Sequence, residues 1–375
     1  MEIEQRVSQT PESPGFSGKR WRSMHLRCLA MLAVAVMVAA CSGTPDTDEP
    51  GGRRGADQVV VMCIVDQAWC QVAVDAFTAQ TGVDASFVRL SAGEGLARIR
   101  AEAGDPSFDV WFGGPSFFPV AAAARGLIEP YVSPNAAAIP PEFKDSAGTW
   151  TGIYQGVIGF CSNREVLAEL GVGVPSSWDD LLDPVFVRNI AIADQRTSGT
   201  AVTAAAALVA LLGSENAALD YLRRLDPNVL QYTRSGSAPG RMAASGEIAT
   251  AVIFAHDCVS IGRETGVDLA VTFPSEGTGF EIGQVSILAG AAHPDAARVF
   301  VDWSLTAGAQ ELAARANAFQ NPTHPDAAVP AESVELASVL IVPGYTRELA
   351  ERLEGGDFAD RFGAEIRNGI PAPAV

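Results

Sequence analysis

The chain has 375 residues, 48% hydrophobic and only 19% charged, so it can bury one large or two medium cores and is not a disordered polyelectrolyte. Its formal charge of -18 argues against nucleic acid as a partner, since a phosphate backbone needs a basic footprint. A negative whole does not forbid a locally positive pocket, so an anionic small molecule stays admissible.

Arg20, Arg22 and Arg27 precede an apolar run at 29–40, LAMLAVAVMVAA. A basic flank, a short apolar core and small residues at its end make a secretory signal, and the run is too short for a transmembrane helix. It closes on VAACSG at 38–43, which resembles a bacterial lipobox. That resemblance implies cleavage before Cys41, acylation of its sulfur and amine, and attachment to a membrane. Met24 stands directly before this layout and is an alternative start. Residues 42–57 are small, polar and rich in Gly and Pro, and read as a flexible tether.

Six cysteines occur; Cys28 falls in the signal and Cys41 at the cleavage point, leaving Cys63, Cys70, Cys161 and Cys258. An even number in an exported chain favours disulfides. Three pairings are open. Nearness in sequence favours Cys63–Cys70, which leaves Cys161–Cys258. A metal site is the rival reading, but no CxxC or His-rich spacing supports it.

The apolar run 59–65 predicts a buried parallel strand. Residues 68–80 have helical spacing, with Trp69, Val72, Ala73, Ala76 and Phe77 on one face. A strand at 83–90, a helix at 96–103 and a strand at 108–112 follow. Gly113, Gly114 and Pro115 end that strand, and a helix runs on to Arg125. This alternation predicts an α/β fold with a largely parallel sheet. A second block has strands at 156–161, 189–193, 248–254 and 268–273. Its helices lie at 200–212 and 215–225, with a short one from Trp178. A strand at 285–288 returns to the first sheet, and helices follow at 293–305 and 309–316. The expected organisation is a first lobe at 58–155 plus 282–320, a second at 156–281, and a C-terminal helical segment at 321–375. No internal repeat of fixed period is present.

Several short motifs occur in a specific order: FTAQTGV (77–83), SAGE (91–94) with Arg98 and Glu102, DVWFGG (109–114), VPSSWDDL (174–181), TSGT (197–200), SGE (245–247), EGT (276–278), and PDAA (294–297) before FVDW (300–303). In that order, from about Val59 to about Pro322, the chain resembles the type II periplasmic solute-binding proteins of ABC importers. The branch it resembles includes ferric-ion, thiamine and phosphorylated-sugar or phosphonate binders. The resemblance implies a monomer of two lobes joined by two crossing strands, closing on a small ligand and delivering it to a permease, with no cofactor.

Strand ends that open helices are the expected ligand positions, because helix N-termini carry unpaired N–H groups and partial positive charge. Three places have that form: Ser91 with Ala92 and Gly93, then Thr197, Ser198, Gly199 and Thr200, then Ser235 to Pro239. Arg89 and Arg234 stand beside two of them and offer bidentate forks. Trp111, Tyr154, Gln155, Asp66 and Gln67 are further candidates. His256 and Asp257 follow a strand at a cleft-facing end. In the ferric-ion binders this region carries adjacent tyrosines; here no Tyr-Tyr occurs, and the pair resembles the sugar-phosphate branch. Glu276 is expected as a further acceptor, with Glu281 the fallback. No GxSxG, HExxH or P-loop occurs, so a binder is expected rather than an enzyme, with no metal.

Overall fold

A computed structural model describes residues 58–373; the proposed acylation site Cys41 and the tether at 42–57 lie outside the described residues. The chain opens with β1 (Gln58–Cys63), α1 (Gln67–Thr81), β2 (Asp84–Arg89), α2 (Ala92–Ala101), β3 (Val110–Pro115), α3 (Phe117–Ala123) and the short β4 (Ile128–Glu129). A long strand, β5 (Thr151–Asn163), leads into α4 (Arg164–Leu170), β6 (Ile190–Ala193), α5 (Gly199–Leu212), α6 (Glu215–Leu225), β7 (Val229–Thr233) and α7 (Ala238–Ala244). Then come β8 (Thr250–Phe254), α8 (Ala255–Thr265), β9 (Leu269–Thr272), β10 (Phe280–Leu288) and α9 (Pro294–Ser304). The chain finishes with α10 (Ala307–Gln310), α11 (Leu312–Arg315), β11 (Asn321–Pro322), α12 (Arg347–Gly355) and α13 (Phe358–Glu365).

The strand order is β2-β1-β3-β10-β5-β8-β6-β7. Pairing is parallel in β2-β1-β3 and in β8-β6-β7, where helical crossovers join the strands. It is antiparallel where β10 meets β3 and β5, and where β5 meets β8. The sheet is therefore mixed, more so than a reading by alternation suggests. The strand β5 serves both halves: residues 151–157 pair with β10 and residues 158–162 with β8. This is a two-lobed α/β fold whose halves share β5.

The first half has a core of its own, and a larger one runs through both halves. Under β1 and β3, Trp69, Phe77, Phe112, Phe300 and Trp303 form one ring cluster with centroids 4.9–5.7 Å apart. The other half is filled by the alanine-rich α5, with Leu219, Leu222 and Tyr221 of α6 against it. The helix α12 buries Leu349, Ala350 and Leu353 and packs on both α3 and α5. Among the described residues no single helix is long and apolar enough to cross a membrane.

Disulfides join Cys63 to Cys70 and Cys161 to Cys258. The first clamps the β1–α1 turn; the second pins α8 onto β5. The helix α8 was not expected. It follows β8 without a turn residue, with Phe254 itself as N-cap (ψ 136°), so the sequence offers no stop signal between strand and helix. The helix expected at 309–316 is interrupted at Glu311 into α10 and α11.

Candidate functional site

The N-termini of α1, α2, α5, α7 and α8 border one cavity, whose wall is completed by Gly114, Pro115, Tyr154, Glu281 and Gln320. Its volume is about 70 Å³. It lies at the carboxyl ends of β1, β2, β6, β7 and β8, where open α/β sheets bind ligands.

At α5 the local chemistry is that of a donor cradle. Ser198 is the N-cap with an extended backbone, yet its hydroxyl makes no cap hydrogen bond, and no acid stands in the first turn. The first in-helix bond runs from Val202 N–H to Ser198 O, 3.2 Å, so the N–H groups of Gly199 and Thr200 precede it. Ser198, Gly199 and Thr200 all line the cavity. The positive end of the helix dipole adds to these donors. Gly199 lies flush with the opposite wall, since a Cβ there would stand 2.8 Å from Pro115 Cγ.

The terminus of α2 is built differently. Ser91 and Glu94 form a capping box: Glu94 Oε2 accepts the Ser91 N–H at 2.9 Å and the Ser91 hydroxyl at 2.7 Å. The Gly93 N–H donates to Thr197 O across the cleft, 3.3 Å. Beside them, the Arg89 Nε–H donates to Val65 O at 3.2 Å, which fixes the guanidinium at the cavity wall.

The third side belongs to α8. His256 and Asp257 sit in its first turn; the imidazole stacks on Phe254 (5.4 Å, 8°) and meets Tyr154 edge-on. Its Nε2 is 3.6 Å from Asp257 Oδ1 and 4.0 Å from Glu281 Oε1. The ring occupies space left by Gly156, where a Cβ would come within 2.5 Å of His256 Cε1. Burial pushes His256 down to about 3, so the ring is neutral. Burial, then the charge of Asp66, pushes the Asp257 carboxyl well up, while Arg89 and Arg241 pull it back. Burial and Asp257 raise Glu281 in the same way. Burial and the nearby Glu281 also raise the Tyr154 phenol, whose oxygen accepts from Gly114 N–H at 3.1 Å; a tyrosinate metal ligand is disfavoured there.

The structure brings together Arg89, Ser91, Tyr154, Ser198, Gly199, Thr200, His256 and Asp257 in the cavity wall, and it places the other six expected residues elsewhere. Trp111 is fully buried in the core, near Phe118. Gln155 lies in the β5 ladder opposite Ile282 and Asn321. Thr197 sits behind the α5 tip, donating its hydroxyl to Arg234 O at 3.0 Å. Arg234 turns away to Glu94, 3.0 Å. Ser235 is outside the wall, its carbonyl accepting from the Thr233 hydroxyl, and Ser237 takes the wall position instead. Glu276 is held by the Ser177 hydroxyl (2.7 Å) and the Trp178 N–H (3.2 Å), and Glu281 is the carboxylate that reaches the cavity. Asp66 lines the wall and Gln67 does not. Gln320 had no signal in the sequence, because it arrives from beyond the last expected helix.

Residues 105–342 match the family described as bacterial extracellular solute-binding protein. An uncharacterized protein of Haemophilus influenzae is 43% identical over 269 residues, 70% of this chain and 77% of that one. A periplasmic protein of Salmonella typhimurium assigned to 2-aminoethylphosphonate binding is 29% identical over 233 residues, 60% of this chain and 62% of that protein. Among solved structures, the periplasmic binding protein AfuA of Actinobacillus pleuropneumoniae, with fructose-6-phosphate bound, superposes with a TM-score of 0.79. It is 36% identical, over 83% of this chain and 99% of that one. With strand-end helix tips converging on one cavity, the chain belongs to the bacterial extracellular solute-binding proteins, which bind small molecules for ABC importers.

Proposed function

We propose that the solute is a compact molecule with a phosphate or phosphonate head and a tail bearing hydroxyl or amino groups. The carrying observation is the asymmetry of the cavity: free donors at the α5 tip, and Asp257, Glu281 and Asp66 around the neutral His256 opposite. A phosphate oxygen suits the first, with the Arg89 fork beside it. Hydroxyl or ammonium groups suit the second, and a second phosphate there would meet like charge. Fructose-6-phosphate and 2-aminoethylphosphonate, the molecules attached to two of the similar proteins, share this head-and-tail chemistry.

In this reading the lobes 58–155 with 282–320 and 156–281 close about β5 and the segment entering β10. The chain acts as a monomer, anchored through acylated Cys41 on the outer face of the membrane, and turns nothing over. The test is native mass spectrometry of protein purified from its own host, with phosphorus analysis of the released solute. Calorimetry with fructose-6-phosphate and 2-aminoethylphosphonate accompanies it. A released solute lacking phosphorus, with neither compound binding, would sink the proposal.

A further inference from the structure

We propose that Glu94 is the positioning residue that couples capture of the solute to closure of the cleft, through an ion pair with Arg234. The carboxylate has two jobs. One oxygen, Oε2, caps α2 by taking the Ser91 N–H and hydroxyl, and Ser91 lines the solute cavity. The other, Oε1, is 3.0 Å from Arg234 Nε. Arg234 belongs to the opposite half of the molecule: it follows β7, and the loop after it supplies Gly236 and Ser237 to the same cavity. The bridge therefore links one cavity wall to the other along a route separate from the solute.

Neighbouring contacts make this seam sensitive to position. Gly93 donates to Thr197 O at 3.3 Å, and a Cβ on Gly93 would be 2.9 Å from that oxygen. Thr197 in turn donates its hydroxyl to Arg234 O. At Gly93 and Thr197 backbone thus meets backbone without an intervening side chain, and an opening of even a few ångströms breaks that bond together with the ion pair. The two charged side chains are 14% and 28% exposed, so solvent screens them less than a free surface pair. The capping box also binds the Ser91 hydroxyl proton to Glu94, so this pair orients the wall as well as latching it.

The identity of the residues allows a clean test. Glu94→Gln keeps an acceptor for the cap but removes the charge, and Arg234→Gln removes the partner. The inference assumes that the cavity is the solute site, so one arm uses solute and one does not. Titrated with fructose-6-phosphate and 2-aminoethylphosphonate, each single variant should bind about fivefold more weakly, through a faster off-rate, with ligand-free melting unchanged. The double variant should be no weaker than either single one. Additive losses, or unchanged affinity in both single variants, would overturn the latch. If the wild type binds neither probe, the proposed solute class has failed, and the latch is judged by small-angle scattering of ligand-free protein. There Arg234→Gln should raise the radius of gyration at low salt, and wild type in high salt should match it. Identical curves throughout would refute the latch on its own.

Discussion

Helices α5 and α2 both end on the cavity with a hydroxyl and glycine tip, TSGT in one and SAGE in the other. The difference is a single acid. In α2, Glu94 at the third helical position answers the N–H and hydroxyl of Ser91, and Gly93 answers Thr197 across the cleft. In α5 no acid stands in the first turn and the Ser198 hydroxyl makes no cap hydrogen bond. A helix N-terminus is an anion site only while its donors are unanswered; once a capping box closes on it, the same partial charge is neutralised from within. The tip of α8 belongs with α2 in this respect, since it carries Asp257 in its first turn. Of these three tips, in the proposed reading α5 takes the negative end of the solute and α8 the end that donates.

The strongest way to break this comparison is Asp257→Ala. If Asp257 accepts from the solute tail, its loss should weaken binding by roughly 2 kcal/mol, about thirtyfold. If it serves only its own helix, removing a negative charge should leave affinity for a phosphorylated probe unchanged or improve it. Calorimetric titration distinguishes the two.

His256 sharpens the α8 side through pH. Its folded pKa of about 3 lies below the unfolded value near 6.5. Its contribution to stability is therefore complete above about pH 6.5 and is lost as pH falls toward 3, because the unfolded chain binds the proton first. Between pH 7 and pH 5, ligand-free wild type should lose up to roughly 2 kcal/mol relative to His256→Gln. Denaturant melts at the two pH values measure this; parallel behaviour of the two proteins, or an imidazole NMR titration centred near 6.5, would show the ring to be hydrated and charged.

Much of this was legible in the sequence. Alternating runs marked both α/β blocks, and the order of motifs marked the family. The difference between the two helix tips was also written there and went unread: SAGE is a Ser-x-x-Glu capping box, while TSGT places no acid three residues after Ser198. Other errors had no remedy in a single chain. All of β3 is buried, so alternation does not say which side of it Trp111 faces. Glu276 and Glu281 are five positions apart around a glycine-rich turn, and only the register of β10 on β5, with Glu281 opposite Gly156, selects the one in the cavity. Arg234 was placed correctly beside a helix tip but given the wrong partner, because its carboxylate comes from a distant part of the chain.

Glu281 tests the acceptor end with the opposite sign to His256. Its folded pKa is raised by burial and by Asp257, so its favourable contribution is complete below the ordinary carboxylate range and is lost as pH rises through the folded value. Glu281→Gln removes the buried charge. At pH 8 the ligand-free variant should be more stable than wild type by about 1 kcal/mol, or about 2 °C in Tm, and the two should converge near pH 4. The same variant should bind solute more weakly. Equal stability at pH 8 would mean that water or an unrecognised donor already satisfies the carboxylate.

The smallest effects fall on the two serines, and they return to the two helix tips directly. The Ser198 hydroxyl makes no cap hydrogen bond, so Ser198→Ala should remove one solute contact and little else. About 1 kcal/mol of binding, roughly fivefold, should be lost with ligand-free Tm unchanged. The Ser91 hydroxyl is held by Glu94 and accepts from the Glu94 N–H, so Ser91→Ala should lower stability by about 1 kcal/mol while affinity stays within about twofold. The crossing of the two effects is the informative result, because a general disturbance of the cavity would move both quantities in both variants. If Ser91→Ala costs more binding than Ser198→Ala, Ser91 releases Glu94 when solute arrives, and the α2 tip is an anion site after all.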